Sequence, residues 1–129
     1  MRAEERRLSP SFSAKERGTA PPFYLVLVDR RSFGSWEEAL REVEEGAREA
    51  LSIEPVSVGV WRPEHLHRLR EAVVDARRRG RALLIVIDEG SRLLPEVVKA
   101  TDLTLEAASL VRAKPGERGI EFKIGRAHV

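Results

Sequence analysis

Arginines, aromatic rings and carboxylates recur just past the ends of three apolar runs in this chain. Phe23 to Val28 leads into Asp29, Arg30, Arg31 and Phe33; Val56 to Val60 leads into Trp61 and Arg62; Leu83 to Ile87 leads into Asp88 and Glu89. Guanidinium groups beside accessible rings suit a single-stranded nucleic acid, which needs cations for its phosphates and planes for its bases. The carboxylates offer a second chemistry. Asp29, Asp88 and Glu89 at neighbouring strand ends can hold Mg²⁺ through water and phosphate oxygens, as in a nuclease or a phosphotransfer enzyme. Against this stands a plainer role, in which strand-end acids cap helices and pair with local arginines; with no second catalytic signature in the chain, that role is favoured.

Each ring and cation has its own plain counterpart. Trp36 falls on the apolar stripe of a helix and reads as a core anchor. Trp61 lies on a lean strand face next to Arg62, so packing and base stacking are both open to it. Phe33, in a loop between Arg31 and Gly34, either plugs the core edge or meets a ligand, with the ligand preferred. Arg30 and Arg31 either bind phosphate or pair with the glutamates that follow. His65 and His67 are two apart on a helix and do not face each other, so no metal site is expected.

These residues need elements to hold them. Phe23 to Val28 is a continuous apolar run, the pattern of a strand buried on both faces. Ser35-Trp36-Glu37-Glu38 matches a capping box, so a helix is expected from Ser35 with Trp36, Leu40, Val43, Ala47 and Ala50 or Leu51 inward. From Val56 to Trp61 the pattern alternates, with Val56, Val58 and Val60 on one face and Ser57, Gly59 and Trp61 on the other. Pro63 opens the next helix, Leu66, Leu69, Val73 and Ala76 form its buried stripe, and Gly80 caps its end. Ala82 to Ile87, the most apolar run, is expected to be the central strand. Pro95 to Val111 reads either as one helix, with Val97 or Val98, Thr101, Leu105 and Ala108 inward, or as a shorter helix ending near Asp102 followed by extended chain. Gly119 to Gly125 is an edge strand with Ile120, Phe122 and Ile124 inward, able to pair with Ser109 to Ala113 across a turn at Lys114 to Glu117. The fold class is therefore α/β: one compact domain over residues 23–129, with a mixed sheet of four to five strands in β-α-β-α-β order and a C-terminal edge strand or hairpin.

Composition narrows the setting. The 129 residues suffice for one domain, and the absence of cysteine excludes disulfides and cysteine metal sites. There is no Asn and no Gln, and only Lys15, Lys99, Lys114 and Lys123 are lysine; with abundant charge, this points to a thermophile. No apolar run approaches a bilayer-crossing length, so a cytoplasmic protein is expected. Residues 1–22 hold five basic and three acidic residues and end in Pro21-Pro22, which reads as a flexible basic arm. The net charge of +2 averages over opposed segments: Ser35 to Leu51 has six glutamates against Arg41 and Arg48, while Arg62 to Arg81 has seven arginines against Glu64, Glu71 and Asp75. Such polarity steers a polyanion to one side of a fold, or simply solvates helix faces.

The order of elements from Val56 onward, with Trp61-Arg62-Pro63, Lys99-Ala100-Thr101-Asp102 and the basic strand Ile120 to Gly125, resembles the Alba-type chromatin and RNA-binding proteins of archaea. There Lys-Lys-Pro opens the first helix and Lys-Ala-Val-Asp lies on the second. The resemblance covers Val58 to Val129 and implies a basic nucleic-acid face around Arg62, Lys99, Lys123 and Arg126. The chain departs from the pattern where Asp88 to Arg92 replace a Gly-Arg pair, and in the β-α unit that precedes the matched segment. Its mixture of rim rings and arginines is also similar in kind to the single-stranded DNA-binding proteins of hyperthermophilic archaea. Leu83 to Glu89 resembles the Walker B strand of RecA-type ATPases, but no Gly-x-x-x-x-Gly-Lys-Ser/Thr loop occurs, so that likeness implies at most a degenerate scaffold or interaction module.

The expectation is a non-catalytic, homodimeric protein that binds single-stranded DNA or RNA, with no cofactor. Its contact residues are expected to be Arg30, Arg31, Phe33, Trp61, Arg62, Arg92, Lys99, Lys123 and Arg126.

Overall fold

A computed structural model describes residues 23–101 and 108–125; the basic arm, Leu105 and Arg126 lie outside these. The elements run β1 (Phe23–Val28), α1 (Trp36–Ala50), β2 (Pro55–Val60), α2 (Arg68–Arg79), β3 (Ala82–Asp88), α3 (Leu94–Thr101), β4 (Ala108–Gly116) and β5 (Gly119–Gly125). Short 3-10 turns precede the three helices. The strands form one mixed sheet in the order β2-β3-β1-β4-β5. β1 runs parallel to β3 and β4, β2 runs parallel to β3, and β4 and β5 form an antiparallel hairpin. The α/β class and the C-terminal hairpin agree with the sequence.

Local chemistry fixes the helix ends. The Ser35 side chain accepts a hydrogen bond from the Glu38 backbone N–H at 3.1 Å, capping α1. Gly80 takes the left-handed conformation that closes α2, where a side chain would be strained. Pro95 sits in the first turn of α3, where its missing N–H removes no helical bond.

Helices cover both faces because the chain reverses direction across the sheet. The β1-to-β2 connection steps toward one edge, whereas β2-to-β3 and β3-to-β4 step toward the other. With one handedness of crossover, that reversal moves the helices to opposite faces. Val43 and Ala47 of α1 pack on Val26, Val28, Leu84 and Val86. Leu69, Val73 and Ala76 of α2, with Val97 of α3, pack on Leu25, Leu27, Ile85 and Ile87. The glutamates of α1 and the arginines of α2 are thereby carried on opposite sides of the molecule.

One expectation needs correction. The middle strand is β1, not β3. Both are buried on both faces and paired on both sides, so apolarity does not rank them; the β3-to-β4 connection passes over β1 and places β4 on its far side. Of the two readings of Pro95 to Val111, the shorter helix followed by extended chain is the one found, since α3 ends at Thr101 and Ala108 to Val111 belong to β4. At the end of α1, Leu51 rather than Ala50 completes the inward stripe with Leu40, Val43 and Ala47, and Ala39 is buried beside them. Among the described residues no helix is long and apolar enough to cross a membrane.

Candidate nucleic-acid interface at the carboxyl rim

β1 and β3 are neighbours, yet the helices that follow them lie on opposite faces. A crevice opens between adjacent strand ends wherever this happens, and it is where open α/β sheets bind ligands. Here it is a cleft of about 430 Å³ lined by Asp29, Arg30, Arg31, Asp88, Glu89 and Gly90. β4 runs on from Arg112, which is level with Leu27, to Gly116, so the hairpin rises above the end of β1.

Every carboxylate in the cleft is engaged. Asp29 accepts from the Arg31 backbone N–H at 3.0 Å and from its guanidinium, which holds the Asp29 carboxyl below its ordinary pKa and the Arg31 guanidinium above its own. Asp88 accepts from the backbone N–H groups of Gly90 and, across the crevice, Arg30, both at 3.4 Å. Glu89 pairs with Arg112 of β4. The three acids thus serve as caps and ion-pair partners. Among the described residues no group of three or more metal-ligating side chains is gathered in one place.

The aromatic residues form a layered support. The indoles of Trp36 and Trp61 stack at 4.2 Å with an interplanar angle of 8°, and the Arg30 guanidinium lies 5.2 Å from the Trp36 ring centroid. Gly59 makes this possible, because a β-carbon there would overlap the Trp61 indole. The Trp61 backbone N–H donates to Nδ1 of His65 at 3.0 Å. Burial, reinforced by Arg68, holds the His65 pKa below its ordinary value and keeps Nδ1 free to accept. Phe33 is half-buried against the core on the α1 side, the position of a core plug.

Arg30, Arg31, Arg62 and Arg92 are all exposed at the carboxyl ends of β1, β2 and β3. Arg31 is paired with Asp29, whereas Arg30, Arg62 and Arg92 have no ion-pair partner among the described residues. Arg92 has φ 59°, a left-handed conformation that is costly for a residue with a side chain. Lys123 is exposed on β5 opposite Arg112, while Lys99 is exposed on α3, away from the strand ends. Sequence reasoning missed Arg112, Glu89's partner, and the contact between the two tryptophans; neither follows from local spacing.

No protein family, curated protein or solved structure matches this chain.

Proposed function

We propose that this protein binds single-stranded nucleic acid, DNA or RNA, along the carboxyl rim of its sheet, as a non-catalytic module that works through arginine–phosphate contacts. The observation that carries this reading is the set Arg30, Arg62 and Arg92, each exposed just past the carboxyl end of a strand and without a carboxylate partner among the described residues, with Arg30 lining the crevice. Arg48, Arg78, Arg79 and Arg112 are engaged by carboxylates, while Arg70, Arg81 and Arg118 are exposed and unpaired like the three, so it is their place at the strand ends that singles out Arg30, Arg62 and Arg92. The left-handed backbone of Arg92 adds weight, since strain of this kind collects at functional positions. The two tryptophans spend a face on each other, so their part is to hold Arg30 in place rather than to offer an open ring. Phosphate contacts then dominate affinity, and binding weakens steeply with salt.

The test is fluorescence anisotropy with labelled single-stranded DNA, single-stranded RNA and duplex DNA at several salt concentrations, with and without Mg²⁺. Salt-sensitive binding of intact single strands is the expected result. Mg²⁺-dependent cleavage of the probes would contradict it and return the carboxylates to a catalytic role.

A further inference from the structure

The two edges of the sheet are protected very differently. β5 carries the exposed charges Glu121 and Lys123, which discourage another strand from pairing there. β2, at the opposite edge, reads Pro-Val-Ser-Val-Gly-Val and has no charged side chain. Pro55 guards only its first position. Next to β2, α2 presents Val74, which is 56% exposed and is the one large apolar side chain left exposed among the described residues. Val56, Val58, Ala72 and Val74 share a groove of about 570 Å³ between strand and helix.

We propose that β2 and α2 form the interface with a second copy of this chain. The two β2 strands pair antiparallel, which joins the sheets into one of ten strands, and the two α2 helices pack across the two-fold axis beside Val74. The charge pattern of α2 selects a second copy as the partner. Glu71, Val74 and Arg78 are spaced by three and four residues and share one helix face. A two-fold axis beside Val74 makes the helices antiparallel and sets Glu71 opposite the partner's Arg78, and Arg78 opposite the partner's Glu71. An isologous contact makes that pair twice. Arg78 is already held by Asp75 of its own helix at 2.9 Å, so its guanidinium is fixed near the contact. Antiparallel pairing also sends the two carboxyl rims to opposite ends of the assembly and leaves each open. The inference is independent of what the rim binds.

Sedimentation velocity on the full chain over a concentration series tests it. The expected species has twice the 14.5 kDa chain mass. Val74→Arg and Glu71→Arg should each weaken the dimer by at least about tenfold, the effect of losing a central interface contact, with an unchanged far-UV circular dichroism spectrum. Combining Glu71→Arg with Arg78→Glu should restore it. A wild-type chain that stays monomeric at every concentration overturns the proposal, as does a dimer that neither single variant weakens. A double variant that remains monomeric overturns the antiparallel register that pairs Glu71 with the partner's Arg78.

Discussion

The indole of Trp36, the first residue of α1, lies parallel to the indole of Trp61, the first residue after β2, with ring centroids 4.2 Å apart. This contact ties the start of a helix to the end of a strand two positions away across the sheet, and Arg30 rests beside it. Stacked pairs contribute about 0.5–1.5 kcal/mol beyond the area they bury. A double-mutant cycle with Trp36→Leu and Trp61→Leu in urea unfolding should return a coupling energy of about 1 kcal/mol. Strict additivity would mean that the rings merely lie side by side.

Gly59 is required by the same stack. A methyl group at this position would occupy the space of the Trp61 ring, and the ring has Trp36 beyond it. Gly59→Ala should therefore cost about 1–3 kcal/mol, the usual range for overpacking. It should also change the near-UV circular dichroism of the tryptophans. An unchanged spectrum would show that Trp61 does not rest on Gly59.

His65 makes stability depend on pH. Its folded pKa lies below the ordinary histidine value of about 6.5 because burial disfavours the imidazolium, with Arg68 adding repulsion. Above about pH 6.5 the ring is neutral in both states and its contribution is fully present. As pH falls below that value the unfolded chain takes up a proton that the folded chain resists, and stability is lost until the folded pKa has been passed. The melting temperature of the wild type should fall relative to that of His65→Gln between about pH 7.5 and about pH 5.5. Parallel curves for the two proteins would assign the pH dependence elsewhere.

Arg92 separates stability from binding. A left-handed arginine costs roughly 1–2 kcal/mol, whereas glycine accepts this conformation and gives back part of the gain as chain entropy. Arg92→Gly should leave stability unchanged or raise it by up to about 1 kcal/mol, while weakening binding to single strands. A variant that loses stability and keeps full affinity would make Arg92 a structural residue.

The fold was legible wherever one local force decides. Ser35 and Gly80 mark helix ends through hydrogen bonding and backbone sterics, which act within a few residues. Val56, Val58 and Val60 were placed on one face by alternation alone. The position of β1 was not legible, because strand order is set by the connection from β3 to β4 and not by apolarity. At the site, the strand-end arginines follow from the three apolar runs. That Trp36 meets Trp61, and that Glu89 meets Arg112, depends on which strands become neighbours. Residues read one at a time carry no trace of either contact.

The central claim is that rim arginines contact phosphate, and the salt dependence of binding tests it most directly. Each phosphate contact to a single strand adds about 0.7 to the slope of log affinity against log salt. Replacing Arg30, Arg62 and Arg92 together by glutamine should lower that slope by about 2, whereas Arg81→Gln, before the opposite end of β3, should leave it unchanged. An equal slope in the wild type and the triple variant would contradict the account.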